Sequence, residues 1–216
     1  MPALITWWTL DVADLAPGAH SDAVRAVGED LLRRLGEEHR RYHTARHVVE
    51  MFWALEDLEH AGVLTARESA LARVAAWFHD AVYDTTTSGA ENEVDSATLA
   101  VRDLTALGFA TEDVETVRDL VLSTHDHDLT GTPLAGAFHD ADLWILSSPP
   151  GRYDEYTLQV RAEYAAVPDD VFRAARASIL RPFLDRETIY ATGFARESWE
   201  DAARANLAVE LGLLSG

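Results

Sequence analysis

The chain has 216 residues, 48% of them apolar, enough for one sizeable domain with its own core and unlike a disordered composition. It carries 18 basic against 37 acidic residues, a net charge of −19, so it should repel the backbone of a long nucleic acid, yet a small anion can still bind where a metal reverses the local field. There is no cysteine, which excludes disulfides, thiolate catalysis, iron–sulfur clusters and thiolate zinc sites, so any metal must bind through His, Asp or Glu.

The first 14 residues lack the basic and apolar regions of a signal peptide, and no stretch approaches the roughly 20 apolar residues that span a bilayer. A soluble, cytoplasmic protein with no membrane partner is expected. Residues 1–20 read as a mixed lead-in segment whose tryptophans pack on the domain, and residues 21–216 as a single helical domain. A first helix is expected over 22–36, with Ser21 as its cap, Gly36 as its stop and a stripe of Val24, Val27, Leu31, Leu32 and Leu35. A second covers 42–60 and ends at Gly62, with Val48, Met51, Phe52, Leu55 and Leu58 at helical spacing. Thr65-Ala-Arg-Glu68 has the form of a capping box and starts a third helix that reaches His79-Asp80.

After a polar loop over 84–90, a fourth helix runs over 91–107 to Gly108, and a fifth over 111–124. Residues 125–138 read as a loop and 139–146 as helical, with a break at Pro149-Pro150-Gly151. Three further helices are expected over 153–165, 169–183 and 196–213, Pro168 suiting the first turn of the second. With no alternating apolar and polar run, the fold class is all-α, a single-domain helical bundle. Trp77 and Trp144 are assigned to core packing.

The stretch Trp77-Phe78-His79-Asp80 closes a strongly apolar helical run with two ligand-type residues. Such groups at the end of a buried helix are costly unless something pairs them, and a divalent metal would do so. His47 upstream and a carboxylate from Asp140 or Asp142 downstream could complete the site. His43 and His47, four apart, share a helix face, a spacing that surface pairs also show. The other reading of His79 is a helix-terminal imidazole stabilised by the dipole, and of the Asp140 pair an acidic helix start.

The ordered set Tyr42-His43-x3-His47, His79-Asp80 and Asp140-Ala-Asp142-Leu resembles the HD superfamily of metal-dependent phosphohydrolases, whose ligand pattern is H…HD…D on a helical bundle. Phe78-His-Asp-Ala-Val-Tyr83-Asp84, Glu91-Asn-Glu93-x2-Ser96-Ala97 and Ala203-Arg204-x-Asn206-Leu207-x2-Glu210-Leu211 look like a branch of predicted HD phosphohydrolases from bacteria and fungi, over residues 40–212. The resemblance implies His47, His79, Asp80 and Asp142 as ligands, Asp142 preferred over Asp140 because the last ligand precedes a short apolar run. It implies His43 as proton donor to the leaving group. Nucleotidase-type relatives carry a Glu three residues after the HD aspartate. Here that position is Tyr83, so Asp84 or Glu93 takes the role of base or water-orienting group. Two-metal relatives add histidines in the interval that holds His125 and His127, which leaves the number of ions open.

The expected function is hydrolysis of a small anionic phosphate ester, a nucleotide above other classes, by a water activated on Mn²⁺, Fe²⁺, Co²⁺, Ni²⁺, Zn²⁺ or Mg²⁺. Arg46, His125 and His127 are candidate substrate contacts, and Glu91 to Ser96 a candidate support for His79 or a metal-bound water, the other reading being an ordinary helix start. The alternatives are an HD-type diiron oxygenase and a non-catalytic, metal-stabilised module that binds a nucleotide or a partner. A homo-oligomer stays open.

Overall fold

The computed structural model describes residues 2–87, 89–125 and 131–215, and every regular element among them is helical. In chain order these are α1 (Pro2–Leu15), α2 (Ser21–Leu35), α3 (Ala45–His60), α4 (Ala66–Phe78), α5 (Gly89–Leu107), α6 (Thr111–Ser123), α7 (Pro133–Asp142), a 3₁₀ turn (Leu143–Ser147), α8 (Pro150–Glu163), α9 (Asp169–Asp185), α10 (Gly193–Ser198) and α11 (Glu200–Ser215). None of these helices is long and apolar enough to cross a membrane.

The bundle is built around α4. From Ser69 to Phe78 all its residues but Arg73 are buried, on every face of the helix. A helix that is apolar all round has to be enclosed, and α1, α3, α5, α6 and α7 enclose it. Its alanines (70, 72, 75 and 76) let those neighbours approach closely. The expected capping box is present: Glu68 N donates to Thr65 Oγ1 at 3.3 Å and Thr65 N donates to Glu68 Oε2 at 2.9 Å. At the other end His79 N still donates to Ala75 O, and Ala81 N closes a turn on Phe78 O, each at 2.9 Å. The central helix therefore delivers His79 and Asp80 to the interior.

Residues 1–20 are not merely a lead-in. They contain α1, which packs on both α2 and α4. Trp8 is fully buried, its ring 5.9 Å from Trp77 and 6.0 Å from Phe78, and its indole N–H donates to Val24 O at 2.7 Å. Gly28 makes that approach feasible, because a Cβ there would lie 2.6 Å from Trp8 Cδ1. Trp7, beside it, stays half exposed. Trp77 is core, as expected.

Several boundaries differ from the sequence reading. Ser21 lies inside α2, and His20 precedes it without a side-chain cap. The cap of α3 is Thr44, whose hydroxyl accepts from Arg46 N, so Tyr42 and His43 lie before the helix. Helix α7 begins at Pro133 instead of residue 139, with Thr132 Oγ1 accepting from Ala135 N at 3.1 Å and proline in the first turn, where it loses no hydrogen bond. The last expected helix is two, α10 and α11, broken at Trp199. Gly62 and Gly108 stop α3 and α5 at φ +74° and +82°, a backbone region that favours glycine.

Candidate metal centre and its cavity

His47 comes from the first turn of α3, His79 and Asp80 from the end of α4, and Asp142 from the last residue of α7. Their side chains meet. His47 Nε2 lies 3.1 Å from His79 Nε2 and 3.1 Å from Asp142 Oδ1. His79 Nε2 lies 2.9 Å from Asp80 Oδ2 and 3.5 Å from Asp142 Oδ1, and Asp80 Oδ2 is 3.8 Å from His47 Nε2. Both imidazoles are buried, and the carboxylates are largely so.

These residues fit a divalent ion. His47, His79 and Asp80 form a group that could hold one, and Asp142 adjoins it. Ligand atoms about 2.0–2.2 Å from a metal stand roughly 3.0–3.4 Å from one another in octahedral or tetrahedral sets, close to the separations here. The imidazoles are also held the right way round. His79 Nδ1 bonds to Ala76 O at 2.9 Å and His47 Nδ1 to the Tyr42 hydroxyl at 3.0 Å, which turns both Nε2 atoms inward.

Without a cation a proton must do its work. Burial disfavours the charge on His79, but Asp80 and Asp142 outweigh it and hold its pKa well above 6.5. Burial also opposes ionisation of Asp80 and Asp142, yet the surrounding imidazoles hold both below 3.8.

His43 stands beside the cluster, and its Nδ1 lies 2.7 Å from Glu163 Oε2. The other oxygen of buried Glu163 accepts from the backbone N–H groups of Arg41, Tyr42 and His43 at 2.7, 2.8 and 3.0 Å. Burial opposes the charge on His43, but Asp80 and Glu163 raise its pKa above 6.5. In return, against its own burial, Glu163 is brought down to about 2 by His43 and these backbone donors. Arg40, whose side chain is buried, donates to the carbonyls of His43 at 3.1 Å and Asp80 at 2.7 Å. It thereby clamps the loop before α3 to the turn after α4. Neither Glu163 nor Arg40 was singled out from the sequence. A Glu and an Arg in polar surroundings carry no local signal of burial.

The remaining expectations divide. Asp140, two residues from Asp142, faces away from the cluster. It is fully buried and accepts from Ala191 N at 2.7 Å and Thr192 N at 2.8 Å, so it braces the approach to α10. Asp84 is exposed and is not part of the cavity lining. Its Oδ1 accepts from Thr86 N and Thr86 Oγ1 at 2.8 and 2.7 Å. Glu93 does line the cavity. Its Oε2 is buried with no hydrogen-bond partner among the described residues, and burial, its largest influence, raises its pKa above 4.5.

Arg46 is engaged at the surface with Glu155 at 2.6 Å and Glu50 at 3.2 Å and does not line the cavity, so it is not the expected phosphate fork. His125 sits 3.8 Å from Glu93 without lining the cavity, and His127 lies outside the described residues. Asn92 and Ser96 support the segment after Asp80 rather than His79. Asn92 Oδ1 accepts from Asp84 N at 3.0 Å and Ser96 Oγ from Val82 N at 3.0 Å.

The cluster opens into a cavity of about 470 Å³. Tyr42, His43, Tyr83 and Glu93 flank the donors, and side chains of the 3₁₀ turn, α8 and α9 form the opposite wall. The chain matches no family model, no curated protein and no solved structure. The site is therefore argued from its own geometry. The C-terminal motif residues turn out to be braces of that opposite wall. Asn206 donates to Leu146 O and Ser148 O, each at 2.9 Å, and Glu210 accepts from Arg176 Nε at 2.8 Å.

Proposed function

We propose that the chain is a metal-dependent phosphohydrolase that cleaves a small phosphate ester. The observation that carries this reading is a donor set of two Nε2 atoms and two carboxylates in a cavity also lined by Glu93, whose buried Oε2 accepts no hydrogen bond among the described residues, and by a braced imidazole, His43. It agrees with the H…HD…D pattern of the sequence.

His47, His79, Asp80 and Asp142 would hold the ion. Bound there, a divalent ion lowers the pKa of a water and polarises a phosphoryl oxygen. Glu93, with its raised pKa, accepts the proton of the attacking water. The oxygen–phosphorus bond to that water forms as the bond to the ester oxygen breaks. His43, held charged through Nδ1 by Glu163, gives its proton from Nε2 to the departing alkoxide. The products are an alcohol and inorganic phosphate, and Glu93 returns its proton through solvent to His43. Tyr83 packs against His43, the ring centroids 4.2 Å apart and the planes tilted by 31°, and so limits the freedom of the imidazole.

The test is phosphate release from a panel of esters by metal-stripped protein to which Mn²⁺, Co²⁺, Ni²⁺, Mg²⁺ or Zn²⁺ is restored singly. The expected result is metal-dependent turnover that disappears in His79→Ala. No release from any ester, with metal bound, would refute the reading.

A further inference from the structure

The two ends of the cavity are chemically unlike. One holds the four donors, Glu93 and His43. The rest of the lining includes an apolar group, Leu146, Val160, Tyr164, Val167, Phe172 and Ile179. Most polar side chains of the lining are already engaged: Thr87 Oγ1 donates to Asp84 O at 3.2 Å and Thr124 Oγ1 to Val121 O at 2.8 Å. The Tyr164 hydroxyl lies 3.4 Å from that of Tyr83, and the Asn92 amide is committed through both its atoms to the backbone of Asp84, at 3.0 and 3.1 Å. Such a wall offers contact area but few hydrogen bonds with which to read a base edge or a ribose diol.

The charges point the same way. The described lining carries three carboxylates, Asp80, Glu93 and Asp142, against a single guanidinium, Arg176. That guanidinium is occupied by Glu210 at 2.8 Å and the Tyr156 hydroxyl at 2.7 Å. None of the chain's 18 basic residues is a lysine. A divalent ion brings such a lining close to neutral, which accommodates one phosphoryl group. It leaves no counter-charge for a second or third phosphate, which the acidic body would also repel.

Resting on the hydrolase reading, we propose that the substrate is a phosphate monoester of an uncharged, mainly apolar alcohol, aryl or branched alkyl. Its body lies on the wall of Val160, Tyr164, Phe172 and Ile179, and the preferred ester is not a nucleotide. The cavity, about 470 Å³, suits a phosphoryl group with an alcohol of that kind.

The test has a catalytic and a non-catalytic arm. In the first, Mn²⁺-loaded protein is given 1-naphthyl phosphate, AMP, ATP and glycerol phosphate. In the second, 1-naphthol and adenosine are titrated calorimetrically into metal-stripped protein. Naphthyl phosphate should have the highest kcat/KM, and naphthol should bind where adenosine does not. Ile179, 58% exposed at the cavity mouth, can be changed without disturbing the core. Ile179→Glu should weaken naphthol binding and raise KM for naphthyl phosphate about tenfold. Ile179→Leu should retain naphthol binding.

A preference for AMP or ATP, or adenosine binding as tightly as naphthol, overturns this inference and leaves the hydrolase standing. Turnover of no ester while naphthol still binds overturns the hydrolase reading, and the ester with it. Naphthol binding indifferent to Ile179→Glu overturns the assignment of the wall.

Discussion

Two buried charged clusters border the same cavity, and their donors and acceptors are matched differently. Around Arg176, donors face acceptors: the guanidinium reaches Glu210 at 2.8 Å and Tyr156 at 2.7 Å, and the Tyr153 hydroxyl donates to the other Glu210 oxygen at 2.5 Å. Helices α8, α9 and α11 are tied by this closed set. Around His47, acceptors face acceptors: two Nε2 atoms 3.1 Å apart stand against the carboxylates of Asp80 and Asp142. That set is balanced only when it takes up a proton or a cation. Burial of charge is common to both, so burial does not single out the cluster that could hold a metal. The mismatch of donors to acceptors does.

The comparison can be broken most forcefully at the closed set. Removing one partner with Glu210→Ala strands a buried guanidinium and should cost about 3–5 kcal/mol in urea unfolding, whereas Arg176→Met with Glu210→Leu should recover most of it. A stability loss as large in the double variant as in Glu210→Ala would contradict the closed-pair account.

The open set should respond the other way. Asp142→Asn should weaken metal binding by about 100-fold or more in calorimetric titration, because a charged ligand is lost. Asp140→Asn, two residues away, should do the reverse. It weakens the bonds to Ala191 and Thr192 at about 1–3 kcal/mol and leaves metal affinity intact. Equal metal affinity in wild type and Asp142→Asn would remove Asp142 from the site. A smaller effect is expected from Tyr42→Phe, which takes the hydroxyl from His47 Nδ1 and should lower metal affinity about tenfold.

The pH dependence of the metal-stripped protein sharpens the contrast further. His79 and His43 are raised above 6.5, so their contribution is complete below pH 6.5 and is lost as pH rises through their folded values. Asp80 and Asp142 are lowered from 3.8, and Glu163 from 4.5 to about 2, so theirs is present above pH 4.5 and lost as pH falls through their folded values. Stability from urea unfolding should therefore be highest between about pH 4.5 and 6.5. A saturating divalent ion should flatten the alkaline decline, since it replaces the proton on His79. An alkaline slope that the metal leaves unchanged would show that the cluster does not hold the ion.

Much of the bundle was legible before any coordinates. The Thr65–Glu68 capping box, the stops at Gly62 and Gly108 and the stripe of α2 are local devices, and local devices survive folding. Helix α1 was missed because Trp7, Trp8 and the apolar residues around them follow no clear helical period. The burial of Trp8 depends on a glycine in another helix. The start of α7 was missed because Gly131, Pro133 and Gly136 read as loop signals, although proline at a first turn is compatible with helix.

By itself the sequence determined the helical class, because apolar spacing and caps act within a few residues. It also determined which residue types could bind a metal, since without cysteine only His, Asp and Glu remain. Only the tertiary structure brought Asp142 and Glu93, and not Asp140 or Asp84, to the lining of the cavity. Asp140 and Asp142, two apart on α7, point in different directions, and Asp84 lies in the loop before α5 while Glu93 is on that helix, so which carboxylate faces the cavity depends on how α5 and α7 pack against α4. The same packing buried Arg40 and Glu163 behind the site and turned Arg46 out to Glu155. Long-range contacts of that kind leave no signature in the spacing of residues along the chain.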